Sequence, residues 1–210
     1  MDKYFSNSRP EMLSFILKAP TNVLDIGCGN GAFGRSLKQM FDCTVTGIEP
    51  IESVGLFAKS QLDHVYIGTF EKVLHSLAPY SFDLIILNDS LEHMTQPEFV
   101  LQKIKYLLGD QGALVLSVPN VRYVENVFNL IIKKDWQYTE YGVLDKTHLR
   151  FFTQKSLIRL LRSNGFHICK IHGINATKSR IFRIINFITF GILGDMRWLQ
   201  IAVSAKNIAN

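Results

Sequence analysis

Short apolar runs alternate with longer amphipathic segments along the first 120 residues of the chain. The runs lie at 23–27, 44–49, 82–88 and 113–119. The segments between them carry apolar residues at helical spacing and lie at 31–41, 50–62 and 97–108. Apolar runs of this length are typical of buried parallel strands. Alternating strands and helices therefore predict a doubly wound α/β sheet with helices on both faces.

Three further strands complete the predicted sheet. A weaker one lies at 64–67, and two more, at 166–174 and 199–207, close the chain. Between the early and the late strands, 153–164 begins with a threonine N-cap and precedes a glycine, which predicts one more helix. The total is seven strands.

The chain has 210 residues, 47% of them apolar, which is enough for one sizeable core. No stretch rich in Pro, Gly or Ser divides it. We therefore expect a single domain over 1–210, with an apolar helical insertion at 175–197.

Charge and cysteine content narrow the class of protein. Lys and Arg number 23 against 18 Asp and Glu, a net charge of +5 that favours anionic ligands but does not predict a nucleic-acid platform. Cys28, Cys43 and Cys169 are odd in number and lack paired metal-ligand spacing, which indicates reduced thiols. The opening MDKYFSNSRP lacks the apolar core of a secretory signal, so we expect a cytoplasmic protein.

The most apolar stretch of the chain is IFRIINFITFGIL at 181–193. It is too short to span a bilayer. We expect a helix whose apolar face covers the core or forms a homodimer interface. Peripheral membrane contact is the alternative, because Lys178, Arg180, Arg183 and Arg197 flank the stretch.

The strongest chemical signal is a glycine loop that leaves the first strand and opens a helix. It contains Asp25, Gly27, Gly29 and Gly31. Such glycines let the backbone approach a ligand, and the helix N-terminus offers free N–H groups. The third glycine comes one residue too early for the nicotinamide fingerprint GxGxxG. Glu49, 22 residues past Gly27 at the end of the next strand, can accept hydrogen bonds from ribose hydroxyls, so we expect an adenosine-containing ligand.

Three stretches, VLDIGCGNGAFG, GIEP and FDLIILNDSLEHMTQP, closely resemble the class I S-adenosylmethionine-dependent methyltransferases. The resemblance extends over nearly the whole chain. Two others, LVLSVPN and GVLDKTHLRFFTQKSL, are similar to the branch that includes ubiquinone-pathway O-methyltransferases and small bacterial methyltransferases of surface-polysaccharide clusters. The resemblance implies a Rossmann-like seven-stranded sheet, mostly parallel, with an antiparallel last strand. It also implies a lid insertion at 121–152 that covers the acceptor pocket.

The resemblance assigns a set of residues to S-adenosylmethionine. In chain order these are Arg9, Asp25, Gly27, Cys28, Gly29, Gly31, Glu49, Pro50, Thr69, Phe70 and Asn88. The glycines would contact the methionine part, Glu49 the ribose, and Arg9 the cofactor carboxylate. The third strand of the family usually ends in an aspartate that meets adenine, whereas this chain has Gly-Thr-Phe-Glu. Thr69 could hydrogen-bond to the base instead, and Phe70 could stack on it.

Methyl transfer to an alcohol needs a base that removes the acceptor proton, and histidine is the usual candidate. His93 follows the fourth strand, at the carboxyl edge where doubly wound sheets bind ligands. His148 lies in the lid insertion. We expect both to be catalytic; the alternatives are that His93 braces its loop and that His148 belongs to a network with Asp145.

A divalent cation is not expected. In the ubiquinone-pathway relatives the loop after the fourth strand is acidic and can hold one, and Asp89, Glu92 and His93 match those positions here. Glu92, however, equally suits a role in bracing the loop.

The acceptor is expected to be a polar small molecule, with no nucleic-acid substrate. Arg150 would clamp its carboxylate or phosphate, and Trp136, Tyr138 and Tyr141 would stack on it or pack the lid. The family likeness favours O-methylation of a sugar, nucleotide sugar or glycan precursor. Two alternatives remain open: O-methylation of a phenolic or quinone-precursor lipid, and a non-catalytic regulator that binds S-adenosylmethionine.

Overall fold

A computed structural model describes residues 8–79 and 81–207 and contains one seven-stranded sheet. The strands are β1 Asn22–Ile26, β2 Thr44–Glu49, β3 His64–Ile67, β4 Phe82–Asn88, β5 Leu108–Pro119, β6 Phe166–Ala176 and β7 Trp198–Asn207. Their spatial order is β3-β2-β1-β4-β5-β7-β6. β1 to β5 pair in parallel, whereas β7 runs antiparallel to both β5 and β6. The predicted fold class, including the antiparallel last strand, is confirmed.

Helices connect the strands. They are α1 Pro10–Leu13, α2 Ala32–Met40, α3 Glu52–Ala58, α4 Phe70–Val73, α5 Pro97–Leu107, α6 Val124–Ile131, α7 Gln154–Ser163 and α8 Arg180–Ile188. Short 3-10 turns lie at Leu74–Ser76, Leu91–His93 and Gly194–Arg197. The predicted Thr153 cap is present, because its hydroxyl accepts a hydrogen bond from the N–H of Ser156.

Several observed boundaries differ from the predicted ones, most clearly the end of α3, at Ala58 rather than 62, and the start of β5. β5 begins at Leu108, five residues before the apolar run, and α5 ends at Leu107. The reason is pairing: the buried Leu108 lies opposite Phe82 at the start of β4, so the ladder starts before the run of consecutive apolar residues does.

The core has two parts. Along β1, Leu24 and Ile26 belong to one buried cluster and Val23 belongs to the other. Successive residues of a strand point to opposite faces of the sheet, so helices must cover both faces. This explains why the central strands are continuously apolar rather than alternating.

Two insertions leave the sheet next to each other. Residues 121–152 follow β5 and include α6, and residues 177–197 join β6 to β7 and include α8. Arg122 at the start of the first forms an ion pair with Asp195 at the end of the second, with Nε 2.5 Å from Oδ2. Asn120 reinforces the junction by donating to the carbonyls of Asp195 and Trp198 at 2.9 and 3.0 Å.

The expectation that α8 covers the core is wrong. Phe182 is its one buried residue, and the other apolar side chains of the helix face solvent. The neighbouring elements cover Phe182, which is 3% exposed, but leave the four isoleucines of the helix 44–71% exposed. None of the helices among residues 8–79 and 81–207 has the length and apolar character needed to cross a membrane.

Candidate active site

The glycine loop crosses the carboxyl end of β1 in a backbone conformation that favours glycine. Gly27, Gly29 and Gly31 have φ angles of 77°, 55° and 82°. A Cβ on Gly27 would lie 2.3 Å from Oγ of Ser90, which donates to the carbonyl of Ile26 at 2.9 Å. The loop after β4 therefore packs directly on the glycine loop, and a side chain at Gly27 would separate them.

Glu49 at the end of β2 holds this loop in place. Its Oε2 accepts a hydrogen bond from the N–H of Gly29 at 2.9 Å, and its Oε1 accepts one from Ile51 at 3.0 Å. Burial raises the pKa of Glu49, while these two backbone donors act in the opposite direction. Each carboxylate oxygen has two lone pairs, so both oxygens can accept one more donor.

Two buried polar side chains near the loop have no hydrogen-bond partner for some of their atoms among the described residues. These atoms are Oδ2 of Asp25 on β1 and both amide atoms of Asn88 at the end of β4. Burial, and then the charge of Glu49, raises the pKa of Asp25 to about 7. Buried polar atoms are nearly always satisfied in native proteins. These atoms are therefore suited to binding a polar ligand at the edge of the sheet.

Arg9 spans the carboxyl ends of β4 and β5. Its Nη1 is 2.5 Å from Oδ2 of Asp89, its Nη2 donates to Oγ of Ser117 at 3.0 Å, and its Nε donates to Glu11 at 2.7 Å. Asp89 also accepts from Ser117 Oγ at 2.7 Å and from the amide of Gln200. This network joins the segment before β1 to three strands of the sheet.

His93 meets the first insertion at the edge of the sheet. Its Nδ1 lies 3.2 Å from both the carbonyl oxygen and the hydroxyl of Thr147. A carbonyl can only accept, so Nδ1 carries the proton and Nε2 of the neutral ring has the lone pair. Burial, followed by the nearby His148, lowers the pKa of His93. The ring is therefore neutral at physiological pH and suited to accept a proton.

His148 is buried against His93, with ring centroids 4.8 Å apart. Its Nδ1 lies 3.1 Å from the carbonyl of Val143, which makes Nδ1 the donor. Its Nε2 faces Oε1 of Glu92 at 3.8 Å, beyond hydrogen-bond distance. The two predicted histidines are thus adjacent, but the second is directed towards a buried acid.

Glu92 is 0% exposed, and neither carboxyl oxygen has a hydrogen-bond partner among the described residues. Burial, followed by the charge of Asp89, raises the pKa of Glu92 well above its ordinary value, so we expect a protonated carboxyl. The backbone carbonyl of the same residue accepts from the N–H groups of Leu149 and Arg150 at 2.8 and 3.0 Å. Glu92 therefore also anchors the first insertion to the turn after β4.

Comparison with known proteins identifies the family of this chain. The family model described as a methyltransferase domain matches residues 3–171. The chain belongs to this methyltransferase family. A ubiquinone biosynthesis O-methyltransferase from Histophilus somni is 34% identical over 107 residues, 47% of this chain and 44% of that protein. One from Coxiella burnetii is 28% identical over 160 residues, 70% of this chain and 67% of that protein.

A solved structure shows the same fold. The S-adenosylmethionine-dependent methyltransferase from Archaeoglobus fulgidus superposes with a TM-score of 0.71 at 18% identity, over 98% of this chain and 96% of that one. The chain is a class I S-adenosylmethionine-dependent methyltransferase, as its sequence resemblance implied.

The edge formed by β1, β2 and β4 fits S-adenosylmethionine. The methyltransferase offers a loop with three glycines, a carboxylate at the end of β2, and unsatisfied atoms on Asp25 and Asn88. When bound, the cofactor supplies a methyl group activated by a positively charged sulfur. The roles assigned to the individual cofactor residues stay predictions.

One predicted contact of the methyltransferase needs correction. Phe70 is 3% exposed and lies in the core cluster, so its ring is not placed to stack on adenine. The physical reason is that Phe70 starts α4 on the same buried side as Val73, three residues later. Thr69 is exposed at the N-cap of α4, and its hydrogen bond to adenine stays a prediction. Pro50 is also exposed, and its contact with the cofactor stays a prediction.

The Cys28 side chain is buried against Gly47 of β2. A Cβ on Gly47 would lie 2.6 Å from its Sγ. Burial raises the pKa of the Cys28 thiol, which stays protonated.

Three potential ligand atoms of the methyltransferase lie close together, one each from Glu92, His93 and His148, all within 4.8 Å of one another. One carboxylate and two imidazoles suit a divalent transition metal. The loop set considered from sequence also included Asp89, which instead binds Arg9 and Ser117. The absence of a metal stays a prediction.

The residues predicted to bind the acceptor have different surroundings in the structure. The Arg150 guanidinium donates to the carbonyls of Thr95 and Leu149 at 2.5 and 3.0 Å, so it braces loops. Trp136 and Tyr138 lie 5.5 and 6.5 Å from the ring of Phe151. Tyr141 is among the exposed large side chains.

Sequence reasoning missed Thr147, Ser117 and Phe151. Thr147 is fixed by Asp145, whose Oδ1 accepts from its N–H at 2.8 Å and its hydroxyl at 2.7 Å. His148 meets Asp145 through its backbone N–H, which donates to the Asp145 carbonyl at 3.0 Å, whereas the Asp145 carboxylate binds Thr147, the residue that contacts His93. An Asp followed two residues later by Thr is a turn signal that identifies such a contact.

Proposed function

We propose that this methyltransferase transfers a methyl group to a hydroxyl of a small acceptor, with His93 as the general base. The observation that carries the proposal is the contact between Nδ1 of His93 and the Thr147 carbonyl at 3.2 Å. It leaves Nε2 with a lone pair in a ring whose pKa is lowered. A positioned neutral histidine is worth roughly 10²- to 10⁴-fold in rate.

Glu49, Asp25, Asn88 and the glycine loop would hold the cofactor. Transfer from a sulfonium is an in-line displacement whose leaving group needs no proton, so alignment of the acceptor supplies much of the rate. We assign the ribose to Glu49, because the two backbone donors hold its carboxylate at the end of β2.

His148 is assigned a positioning role rather than that of a second base. Its Nε2 faces the protonated Glu92, and its ring packs edge-on against His93 at 4.8 Å. A fixed His148 ring limits the orientations that His93 can adopt, and such fixed geometry is what general-base catalysis needs.

For the acceptor we propose a phenolic or quinone-precursor lipid. The similarity to ubiquinone biosynthesis O-methyltransferases supports this class, although this chain matches only 44% and 67% of the length of the two relatives. Trp136 and Tyr138, grouped around Phe151, offer aromatic surface to a ring of this kind.

A sugar, nucleotide sugar or glycan precursor is the second candidate. The exposed rings of Tyr138 and Tyr141 favour it, since amphipathic rings also stack on sugar faces. In either case the insertion at 121–152 would act as a lid of one domain over 1–210, on a protein we place in the cytoplasm.

The test is formation of S-adenosylhomocysteine in the presence of a panel of catechols, prenylated phenols and nucleotide sugars. Turnover of a phenol, with mass spectrometry placing the methyl group on oxygen, supports the proposal. Turnover of nucleotide sugars alone would support the second candidate. Tight binding of S-adenosylmethionine in calorimetry with no turnover of any acceptor would indicate a non-catalytic binding protein and contradict the proposal.

A further inference from the structure

One exposed side of α8 carries a row of isoleucines along the length of the helix. Ile181, Ile184, Ile185 and Ile188 follow the i, i+3, i+4, i+7 spacing that places side chains on one face of a helix, and all four are exposed. Phe187 and, in the following turn, Phe190 are 84% and 95% exposed. A contiguous apolar surface of this kind indicates an interaction site rather than ordinary surface.

Positive charge borders this face. Arg180 and Arg183 lie three residues apart on α8 and are exposed, and Lys178 and Arg197 lie at the two ends of the insertion. The single acid between them is Asp195, which is paired with Arg122. An apolar face bordered by unneutralised Arg and Lys is complementary to anionic headgroups above an acyl layer.

The insertion after β5 repeats the same chemistry. Four of its exposed apolar side chains, Phe128, Leu130, Ile131 and Ile132, lie close together in sequence, and Lys133 and Lys134 follow them. The ion pair between Arg122 and Asp195 joins the two insertions at their bases. Both insertions leave the sheet where Pro119 of β5 pairs with Gln200 of β7, the edge that also carries Asn88 and His93.

We propose that α8 and the turn after it dock the enzyme on a bilayer that carries anionic headgroups. A second copy of this chain fits less well, because a twofold interface over α8 would gather the Arg180 and Arg183 of both copies, and the helix carries no acid to pair with them. The surface lies on the active-site edge, so docking would bring the acceptor side of the enzyme to the membrane. The inference rests on α8 and its charges and does not depend on which acceptor is methylated.

Vesicle co-sedimentation of the full chain tests the proposal, with vesicles of phosphatidylcholine alone and of phosphatidylcholine mixed with phosphatidylglycerol. We expect binding to the mixed vesicles that weakens as salt is added. The variant Ile184→Glu/Ile188→Glu removes two exposed apolar side chains and should weaken binding at least about 100-fold. The variant Arg180→Gln/Arg183→Gln should weaken binding to mixed vesicles by roughly 30-fold at low salt.

The matched control is Met40→Glu/Leu56→Glu. These side chains are 56% and 53% exposed on α2 and α3, which flank the strands at the other end of the sheet. The control should bind vesicles like the wild type, apart from the charge effect that any two added acids produce. Circular dichroism and calorimetry with S-adenosylmethionine check that all variants fold and bind cofactor.

Two outcomes would overturn the proposal. One is wild-type protein that binds neither vesicle type. The other is a wild-type dimer in sedimentation velocity that Ile184→Glu/Ile188→Glu converts to a monomer, because a second copy would then cover α8. Neither outcome bears on methyl transfer, which the acceptor panel measures separately.

Discussion

The two halves of the active-site edge each contain a buried acid, and the two acids differ in their hydrogen bonding. On the cofactor side, Glu49 accepts two backbone hydrogen bonds within the loop it holds. On the acceptor side, Glu92 is fully buried, and neither of its carboxyl oxygens has a hydrogen-bond partner among the described residues. Burial raises the pKa of both groups. At Glu49 two backbone donors oppose the shift, whereas at Glu92 the charge of Asp89 adds to it, and its own backbone and the Arg9 charge offset it only in part.

This difference follows from how each half is assembled. The donors to Glu49 are the backbone of Gly29 and Ile51, next to consecutive strands, so a local motif provides them. Glu92 and His148 are 56 positions apart in the sequence, and the insertion that carries His148 must fold against Glu92. The cofactor half is thus built from neighbouring segments, and the acceptor half depends on long-range contacts between the turn after β4 and the first insertion.

The largest expected effect is on the acceptor half. His93→Ala should lower kcat roughly 10²- to 10⁴-fold because the base is lost, with cofactor affinity unchanged. Steady-state kinetics with an acceptor from the panel measure it, and the exposed His64→Ala is the control. In the wild type, the lowered pKa of His93 should keep the acidic limb of the kcat profile below about pH 6.5. If His93→Ala kept the wild-type kcat, His93 would not be the general base, and the acceptor half would not supply the catalytic group that distinguishes it from the cofactor half.

Asp25 should make the stability of the cofactor-free protein depend on pH. Its pKa is about 7 when folded and near 4 when unfolded, so the folded state holds a proton that the unfolded state releases. The free energy of unfolding should therefore fall as pH rises from about 4 to about 7. Asp25→Asn has no such proton and should gain up to about 4 kcal/mol relative to wild type over this range.

Urea denaturation at several pH values measures this difference. The exposed Asp42→Asn should follow the wild-type curve. A constant difference between Asp25→Asn and wild type at all pH values would show that Asp25 is ionised in the folded protein, contrary to the effect expected of its burial.

Glu49→Ala tests the cofactor half directly. The variant removes the carboxylate proposed to accept hydrogen bonds from the ribose hydroxyls, so S-adenosylmethionine binding should weaken roughly 10- to 100-fold. Isothermal calorimetry with S-adenosylmethionine and, separately, NAD measures it. Glu52→Ala, which removes an exposed acid three residues later, should leave the affinity unchanged. Wild-type preference for NAD would contradict the assignment of the loop to S-adenosylmethionine.

The smallest expected effect concerns the long-range contact between Thr147 and His93. Thr147→Val removes the hydroxyl beside Nδ1 of His93 but keeps the carbonyl, so kcat should fall about 2- to 10-fold. Thr139→Val, which removes another hydroxyl bond within the same insertion, is the control. If both variants lose kcat equally, the hydroxyl of Thr147 contributes only to folding of the insertion.

Local sequence patterns predicted the sheet and most of the cofactor side. The apolar runs located all seven strands, and the turn from β1 into α2 required glycines whose positive φ angles are present. These features depend on residues near one another in sequence, where propensity and period act directly. The start of β5 at Leu108 escaped prediction because it depends on pairing with Phe82.

The tertiary structure decided the rest. The amino-acid sequence by itself determined the succession of strands along the chain, the glycine loop, and the two histidines in segments that reach the same edge of the sheet. Only packing decided that His148 faces Glu92, that Phe70 is in the core, and that the isoleucines of α8 remain uncovered. An apolar helical face has the same sequence whether it covers a core or faces solvent, and only the neighbouring elements distinguish the two.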